Sequence, residues 1–341
     1  MCAQTPREQV DLSACNSLRL PMRAQYFVRL ADVGAVPEAM AWARRRQLPT
    51  WILGGGSNLV PRADWPGLTV QLGAAGVRFE SAGRGVRAEV QAGHTWDALV
   101  AETLKRGLTG LECLSGIPGT VGAAPMQNIG AYGAEVGSLV EAVYAVDRRS
   151  GKTHCFSAQD CRFGYRTSRF KQDEADAWVI TRVMLRLRTG NPAPLDHPEI
   201  QAELVAVGAK PSARAVREAV LAVRRRKLPD PKGLPNVGSF FHNPVIDAVS
   251  WRALEARFPG LVSYPEAAGH RKLAAGWMID ALGWKGRRCG AFGVHEHQAL
   301  VLVHHGGGTG AQLLEFAQRI QADVLHHFGV ALEIEPRVYP V

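Results

Sequence analysis

A long glycine-rich stretch, GIPGTVGAAPMQNIGAYG, occupies residues 116–133 of this chain. A second glycine cluster, GGGSN at residues 54–58, follows a predicted strand and leads to Pro61, which continues a helix poorly. Clustered glycines let backbone N–H groups approach a phosphate without obstruction by Cβ. Two such loops in one lobe suit a pyrophosphate held between them. From composition alone, a pair of tight structural turns explains the two clusters equally well.

Two further glycine motifs resemble nucleotide-binding loops but fail on inspection. GKT at residues 151–153 ends like a Walker motif, yet Val146 stands where that motif needs glycine. Residues 306–311, GGGTGA, fit G-x-G-x-x-A after a predicted strand. Because few residues follow this motif in the sequence, we expect a surface turn before a capped helix there rather than a dinucleotide fingerprint.

Composition indicates a globular protein of about two domains, at roughly 150 residues each. Of 341 residues, 46% are hydrophobic and 21% are charged, which excludes global disorder. No run of about 18 apolar residues predicts a transmembrane helix, and the N-terminus lacks the pattern of a signal peptide. The six cysteines are scattered without a CxxC pair, so we expect reduced thiols in a cytoplasmic protein.

Charge favours an anionic ligand. Lys plus Arg total 40 and Asp plus Glu total 31, a net charge of +9, with basic runs at residues 44–46 and 224–227. A solvated helix face is the ordinary explanation of such runs. Since no nucleic-acid motif accompanies them, we favour a small anionic ligand over DNA or RNA.

Periodicity and capping residues predict alternating helices and strands, with a loop near residues 190–211. The pattern indicates a mixed α/β or α+β chain with at least two lobes. Thr95, Ser212 and Thr309 are candidate helix N-caps. The predicted helices cover residues 37–48, 95–106, 212–227, 272–282 and 309–327. The predicted strands cover residues 51–53, 86–93, 179–187, 299–303 and 331–338, with a hairpin over 140–156.

Seven motifs together resemble one family. GLECLSGIPGTVGAAPMQNIGAYGAEV (110–136) resembles the flavin-binding segment of the UDP-N-acetylenolpyruvoylglucosamine reductase (MurB) family, in the class with an extra substrate loop. The other motifs follow the family's order from about Asn16 to the C-terminal strand. They are ILGGGSNLV (52–60), CRFGYRTSRFK (161–171), KLPDP (227–231), NVGSFFHNP (236–244), KLAAGWMIDALGWKG (272–286) and LEIEPR (332–337).

The resemblance implies an α+β fold. We expect an FAD-binding fold of the vanillyl-alcohol oxidase/PCMH type, followed by a C-terminal α+β substrate-binding domain. The implied lobes are residues 1–70, completed by 330–341, then 71–226 with the substrate loop near 190–211, and 227–329 for the substrate.

The resemblance also implies the activity, an FAD-dependent reduction at the expense of NADPH in peptidoglycan biosynthesis. The flavin N5 passes a hydride to C3 of UDP-N-acetylglucosamine enolpyruvate, C2 is protonated, and the product is UDP-N-acetylmuramate. We expect a cytoplasmic monomer that binds no nucleic acid and does not insert into membranes.

Three residues match the family's catalytic positions. Ser239 matches the proton donor, and a hydroxyl can donate if its developing charge is stabilised. Arg166 matches the arginine that stabilises the enolate, since a guanidinium suits a carboxylate and its enolic form. Glu335 matches a glutamate with the same role, and in the predicted last strand period two places it on one face with Glu333 and Arg337. Without the resemblance, each residue has an ordinary structural explanation: Ser239 as a turn residue, Arg166 as part of a surface ion pair, and Glu335 as part of a solvated polar face.

Matching positions also suggest ligand contacts. The substrate residues are Tyr165, Lys227, Asn243, Gln298 and, more loosely, His197. The flavin residues are Gly54, Gly55, Gly56, Ser57, Asn58, Gly116, Ile117, Pro118, Gly119, Gly122, Gln127, Asn128, Ile129, Gly130 and Tyr132. Backbone N–H donors explain why glycine matters more than side chains in the flavin loops.

The sequence departs from the family at three points. His197 stands in the substrate loop where tyrosine is expected, and imidazole can still stack or hydrogen-bond. His242 stands in FFHNP where lysine is common. Pro336 follows Glu335 where valine is common, and its missing N–H favours an edge position.

The histidines at 295, 297, 304 and 305 lack acidic or cysteine partners at suitable spacing, so we expect no metal. Three other functions stay open: a flavin oxidase of the same fold, a nucleotide-sugar binding protein without catalysis, and a basic nucleic-acid-binding module. Ser239 and Glu335 argue against the oxidase, which needs no proton donor to an enolate carbon. The filled catalytic positions argue against the binding protein.

Overall fold

A computed structural model of the chain describes residues 5–83, 85–172, 174–192 and 195–340. Its strands are β1 (Arg7–Asp11), β2 (Arg23–Leu30), β3 (Thr50–Leu53), β4 (Leu59–Pro61), β5 (Trp65–Leu72), β6 (Val77–Ala82), β7 (Gly85–Gln91), β8 (Leu108–Thr109), β9 (Gly130–Ala131), β10 (Ala134–Glu135), β11 (Val140–Asp147), β12 (Thr153–Ser157), β13 (Trp178–Thr189), β14 (Asn236–Ser239), β15 (Val245–Ile246), β16 (Ser263–Pro265), β17 (Arg271–Leu273), β18 (Arg288–Cys289), β19 (Phe292–Val294), β20 (Val301–His304) and β21 (Arg337–Tyr339).

The α-helices are α1 (Val36–Arg45), α2 (Trp96–Lys105), α3 (Pro198–Ala206), α4 (Ala213–Lys227), α5 (Ala248–Arg257), α6 (Ala275–Ala281) and α7 (Gly310–Phe328). Single 3-10 turns lie at Ser13–Cys15, Val33–Ala35, Glu112–Leu114, Val121–Ala123, Pro125–Gln127, Val136–Ser138 and Ala267–Gly269. The glycine-rich stretch at 116–133 therefore folds as turns and short bridges, because no hydrophobic periodicity holds it in a longer element.

The chain divides into two compact units, and the first comprises Met1–Val10, Ala24–Gly55 and Trp65–Arg224. One of its sheets has the order β1-β2-β5-β3, with β2 and β3 both parallel to β5. A larger sheet has the order β12-β11-β13-β7-β6 and is antiparallel. Strand β13 buries Val183, Leu185 and Leu187 in a core shared with Trp96 and Leu99 of α2. This core supports the glycine-rich turns that follow α2.

The second unit comprises Asp11–Arg23, Gly56–Asp64 and Arg225–Val341. Strands β14-β20-β19-β18 form one sheet, β15-β17-β16 a second, and β21 pairs in parallel with β4. Helix α7 buries an apolar stripe that includes Leu313, Phe316 and Ile320 in the core of this unit. The three lobes expected from the sequence stay a prediction.

Several local predictions are confirmed. Helix α7 begins at a capping box, in which Thr309 accepts from the backbone of Gln312 and the Gln312 side chain accepts from the backbone of Thr309. Ser212 Oγ accepts from the N–H of Ala215 at the start of α4. The hairpin between β11 and β12 turns at Gly151, whose φ of 72° is accessible to glycine without strain.

Three local predictions are wrong in detail. The helix expected over 272–282 begins only at Ala275, because Lys272 lies in β17 between β15 and β16. The strand expected over 331–338 is reduced to β21, preceded by a single bridge from Ile334 to Phe241. Thr95 precedes α2, but its side chain makes no capping hydrogen bond and its backbone bridges to Thr120 instead.

Part of the predicted substrate loop at 190–211 forms α3, and residues 193–194 lie outside the described residues. Among the described residues, no helix combines the length and apolarity needed to span a bilayer. Five described cysteines are free thiols, at positions 15, 113, 155, 161 and 289. Burial raises the pKa of Cys113 to about 11 and that of Cys161 to about 12, so both thiols stay protonated at neutral pH.

Candidate active site

The two glycine-rich loops of the first unit lie against each other. A Cβ added to Gly55 would come within 2.9 Å of the Cα of Gly119, and one added to Gly54 within 2.9 Å of Thr120 Oγ1. Only glycine at position 55 allows so close an approach of two backbones, and at position 54 a larger residue would meet the Thr120 side chain. The structure therefore brings the two loops together at Gly54, Gly55 and Gly119, whereas their joint role in holding a pyrophosphate stays a prediction.

The 119–122 turn is fixed by the connection between β7 and α2. The N–H groups of Val121 and Gly122 donate to the carbonyls of His94 and Ala92, both at 2.9 Å. The N–H of Trp96 donates to the Gly119 carbonyl at 3.0 Å. A Cβ on Gly122 would lie 2.6 Å from the Cβ of Ala92, so this position excludes larger residues. The turn is thus held in one shape before any ligand binds.

Glycine loops of this kind fit the pyrophosphate of a dinucleotide, because without Cβ atoms the main chain can come close to a phosphate. In the second unit, Gly56 has φ of 64°, and a Cβ there would lie 1.8 Å from the carbonyl oxygen of Cys15. The carbonyl of Asn58 accepts from the N–H of Arg337 at 3.0 Å. Gly56 and Asn58 are therefore also held by contacts with other backbone segments.

Asn128 connects the glycine-rich stretch to the segment that carries Arg166. Its buried amide Nδ2 donates to Glu135 Oε2 at 2.7 Å and to the Gly164 carbonyl at 3.0 Å, while Oδ1 accepts from the Gly137 N–H. Because its φ is 47°, this asparagine also makes the left-handed turn that reverses the chain. The Asn128 side chain therefore makes its hydrogen bonds to other residues of the protein.

Arg166 is held beside the same stretch. Its Nη2 donates to the Gly130 carbonyl at 2.8 Å, and its guanidinium lies 5.4 Å from the centroid of the half-exposed Tyr165 ring. Lys171 Nζ donates to the Arg166 carbonyl at 3.0 Å. These contacts fix the guanidinium and bring together Gly130, Tyr165 and Arg166, which the sequence assigned to the flavin, the substrate and catalysis respectively.

Ser239 and Glu335 lie on adjacent segments of the second unit. Ser239 ends β14 directly after Gly238, whose φ is 74° and whose N–H donates to Asn236 Oδ1 at 2.9 Å. The N–H of Phe240 donates to the Leu300 carbonyl at 2.7 Å, and the N–H of Glu335 donates to the Phe240 carbonyl at 2.9 Å. The structure therefore places the predicted proton donor and the predicted glutamate on neighbouring backbone segments.

His242 contributes a neighbour that the sequence did not identify as functional. Its Nδ1 lies 3.6 Å from Glu335 Oε2, and the two side chains are 18% and 13% exposed. The N–H of His242 donates to the Glu333 carbonyl at 2.9 Å, so the backbone holds the imidazole beside the carboxyl group. Glu333 itself is exposed, and of the three residues predicted to share a strand face, Glu333, Glu335 and Arg337, only Arg337 lies in β21. The shared face stays a prediction.

Two predicted substrate residues meet at the first turn of α6. Asn243 Oδ1 accepts from the N–H of Ala275 at 3.0 Å. Gln298 Oε1 lies 3.3 Å from the position of a Cβ on Gly276 and accepts from the N–H of Leu300 at 3.4 Å. In both side chains the amide oxygen accepts a backbone hydrogen bond, which fixes the orientation of the amide. Asn243 Nδ2 and Gln298 Nε2 are then the groups that could donate to a ligand. Lys227, the last residue of α4, is exposed.

Tyr132 and His197 form an edge-to-face pair with ring centroids 5.0 Å apart. Tyr132 also hydrogen-bonds to Arg224, and burial raises the pKa of the Tyr132 phenol despite the nearby guanidinium. Burial lowers the pKa of Arg224, which in the sequence stands out only as part of a basic run. The basic run at residues 224–227 indicated that a cation could be functional there, but the sequence of the run does not show which of its arginines is buried.

The histidines in the second unit have structural surroundings. Nδ1 of the buried His304 lies 2.8 Å from the Leu18 carbonyl, and its Nε2 accepts from the N–H of Gly308. His295 and His297 contact each other with ring centroids 5.5 Å apart. Within the ranges the structure describes, no group of three or more His, Cys, Asp or Glu residues could hold a metal ion.

Comparisons with known proteins define the class first. Residues 24–157 match the FAD binding domain family. The fold matches a solvent-stable cholesterol oxidase at a TM-score of 0.51, with 12% identity over 97% of this chain and 86% of that one. The chain is thus a flavoprotein with the predicted FAD-binding fold of the vanillyl-alcohol oxidase type, joined to a C-terminal α+β domain.

The particular family follows from the rest of the chain. Residues 230–339 match the UDP-N-acetylenolpyruvoylglucosamine reductase C-terminal domain. The reductase of Pseudomonas aeruginosa is 50% identical over 98% of both chains, and that of Bordetella pertussis is 48% identical over 97% of this chain and 94% of its own. The Thermus caldophilus reductase structure matches with a TM-score of 0.67, at 24% identity over 98% of this chain and 100% of that one. The chain belongs to this reductase family and is an FAD-dependent oxidoreductase that uses NADPH.

Proposed function

We propose that Ser239, Glu335 and Arg166 carry out the chemistry of the family's reaction in this chain. That reaction is the reduction of UDP-N-acetylglucosamine enolpyruvate to UDP-N-acetylmuramate in peptidoglycan biosynthesis. When bound, FAD that NADPH has reduced supplies the hydride for C3 of the enolpyruvyl group. The protein must then bind the substrate, stabilise the negative charge that develops on it, and supply one proton.

Ser239 is the proposed proton donor. Hydride addition at C3 of an enol ether next to a carboxylate leaves an enolate, and the enolate takes a proton at C2. A serine hydroxyl is a weak acid and donates efficiently only where its developing alkoxide is stabilised. Its place at the end of β14, after the left-handed Gly238 turn, supports this role because the backbone there is fixed on both sides.

Arg166 and Glu335 are the proposed stabilisers of the enolate, Glu335 as the protonated acid, because an ionised carboxylate would repel the negative charge. The observation that carries the proposal is the 2.9 Å hydrogen bond from the Glu335 N–H to the Phe240 carbonyl, which joins the Glu335 backbone to the segment that carries Ser239. Arg166 supplies a guanidinium whose Nη2 is already oriented by the Gly130 carbonyl. A preorganised cation stabilises a carboxylate and its enolic form with little reorganisation.

The backbone of the two glycine loops is the proposed site of the FAD pyrophosphate. Support comes from the close approach of Gly55 to Gly119 and from the rigid attachment of Gly122. We assign the flavin residues predicted from the sequence to this site, with Asn128 acting through the shape of the turn.

For the substrate, Lys227 suits the diphosphate, and the amide donors of Asn243 and Gln298 suit sugar or phosphate oxygens. Tyr165 lies half exposed beside Arg166. His197 is the least direct candidate, since its ring packs on Tyr132. We further propose the three-lobe division given by the sequence, a monomeric state and a cytoplasmic location, to which the free thiols are suited.

Isotope labelling tests the proposed reaction. Turnover in D₂O with unlabelled NADPH is expected to place one solvent deuterium at C2 of the product, as read by NMR. Label at C3 does not bear on the test, because the N5–H of a reduced flavin exchanges with solvent. If C2 of the product lacks solvent label, the assignment of the proton is wrong. A Ser239→Ala variant should form the same product far more slowly.

A further inference from the structure

Asp97, in the first turn of α2, contacts two segments that are distant in sequence. Its Oδ1 and Oδ2 accept from Nη1 and Nη2 of Arg217 on α4 at 2.6 and 2.8 Å. The same Oδ1 accepts from the N–H of Gly116 at 2.6 Å. A single carboxylate thus joins α2, α4 and the first residue of the glycine-rich turn.

The charges of this cluster strengthen its hydrogen bonds. Burial by itself would raise the pKa of Asp97, but hydrogen bonds from Arg217 and Gly116 and the nearby Arg224 together lower it. Asp97 is therefore ionised at neutral pH. A bidentate arginine–carboxylate pair has defined geometry as well as energy. The Arg217 side chain is 17% exposed and that of Asp97 is 36% exposed, so the pair is partly shielded from solvent.

Helix α4 also contacts Gly116 directly. Gly116 has φ of 71°, and a Cβ there would lie 2.9 Å from Leu221 Cδ2 and 3.1 Å from Arg224 Nε. Val216 and Val220 of α4 pack against Ile200 of α3 in a small apolar core. The position of α4 therefore determines where the glycine-rich turn can begin.

We propose that Asp97 is a positioning residue for FAD: it fixes Gly116 against α4 and so holds the Gly116–Gly122 backbone in its ligand-binding shape. The inference rests on the assignment of that backbone to the flavin pyrophosphate. Asp97 acts through Gly116 and takes no part in the transfer of hydride or proton. Loss of the Asp97–Arg217 pair should weaken FAD binding without changing the chemistry of the loaded enzyme.

The test is the dissociation constant for FAD, measured by flavin fluorescence as FAD is added to apoprotein. Asp97→Ala and Arg217→Met are expected to raise it roughly tenfold or more, since each leaves a partly buried charge or N–H without its partner. Arg217→Lys keeps the charge and should retain part of the affinity. Arg214→Met is the matched control, because Arg214 pairs with Glu218 on the exposed face of the same helix.

A kinetic measurement separates positioning from catalysis. At saturating FAD, kcat of Asp97→Ala should return to the wild-type value, and the double variant Asp97→Ala/Arg217→Met should bind FAD no more weakly than the worse single variant. Wild-type FAD affinity in both single variants would overturn the inference. So would a loss of kcat that persists at saturating FAD while circular dichroism shows a folded protein.

Gly55→Val distinguishes this inference from the site assignment beneath it. If Gly55→Val abolishes FAD binding while Asp97→Ala binds normally, only the role of Asp97 is wrong. If Gly55→Val binds FAD normally, the glycine loops are not the flavin site, and the positioning role is overturned with them.

Discussion

The backbone N–H of Glu335 donates to the carbonyl of Phe240 at 2.9 Å, so the C-terminal segment lies directly beside the end of β14. Ser239 is the residue before Phe240, and the bridge between Phe241 and Ile334 continues the contact. Two groups with related proposed roles, a proton donor and a stabiliser of the enolate, are thus joined by main-chain hydrogen bonds. Such bonds position side chains more rigidly than a loop contact does.

Replacement of the proposed proton donor should separate the two half-reactions. In Ser239→Ala, FAD affinity and the rate of flavin reduction by NADPH should match those of the wild-type enzyme. Oxidation of the reduced enzyme by the enolpyruvyl substrate should slow by roughly 10²–10⁴-fold, as expected for loss of general acid catalysis. Stopped-flow absorbance under nitrogen measures both rates. An equal loss in the two half-reactions would contradict the assigned role.

His242 and Glu335 should behave as a coupled pair, because 3.6 Å separates Nδ1 from Oε2. We expect His242→Gln to lower kcat by about tenfold and Glu335→Gln to lower it further, with the double variant no worse than Glu335→Gln alone. Steady-state kinetics of the four proteins completes the cycle. His242→Lys, which introduces the residue common in the family, serves as the conservative control. Additive effects of the two substitutions would show that His242 does not act through Glu335.

Addition of one methyl group to the glycine loops should impair cofactor binding. Gly55→Ala places a Cβ 2.9 Å from Gly119 Cα, a distance that forces the two loops apart. We expect weaker FAD binding and a lower flavin-to-protein absorbance ratio after purification. Gly233→Ala is the matched control, since its Cβ would have only the Asp230 carbonyl oxygen nearby, at 3.7 Å. Full flavin occupancy in Gly55→Ala would place the pyrophosphate elsewhere.

The Asp97 ion pair should make an acid-dependent contribution to stability. The pKa of Asp97 is lower in the folded protein than in the unfolded chain, where it is about 3.9. The contribution of the ionised Asp97 to the free energy of unfolding is therefore fully present above about pH 3.9, and it is lost as the pH falls through the lower pKa of the folded state. The difference in the free energy of unfolding between wild type and Asp97→Asn should therefore be constant from pH 7 to roughly 5 and shrink below about 4. Urea unfolding of the apoproteins across this range measures it. A difference that grows toward low pH would contradict the sign.

Local sequence patterns predicted the features that depend on neighbouring residues. Short sequence motifs were sufficient to predict the capping box of α7, the hairpin at Gly151, and the glycine turns at 54–58 and 116–133. The prediction that α6 begins at Lys272 is wrong because Lys272 lies in β17, which pairs with β15 and β16 on its two sides. Tertiary pairing overrode the local helical pattern there.

Long-range contacts could not be found in the sequence. The pairing of Asp97 with Arg217 joins positions 120 residues apart, and no motif connects them. His242 was noticed only as a departure from the family pattern, and its approach to Glu335 depends on how the C-terminal segment packs. The resemblance supplied the site residues, whereas the structure shows which of their side chains are held by the protein itself.

NADPH oxidation by the purified yellow protein under nitrogen, with and without UDP-N-acetylglucosamine enolpyruvate, tests the proposed reaction most directly. We expect oxidation to require the enolpyruvyl substrate, to need no oxygen and to yield UDP-N-acetylmuramate in equal amount. Oxidation that requires oxygen and is indifferent to the substrate would contradict the proposed reaction and would indicate a flavin oxidase.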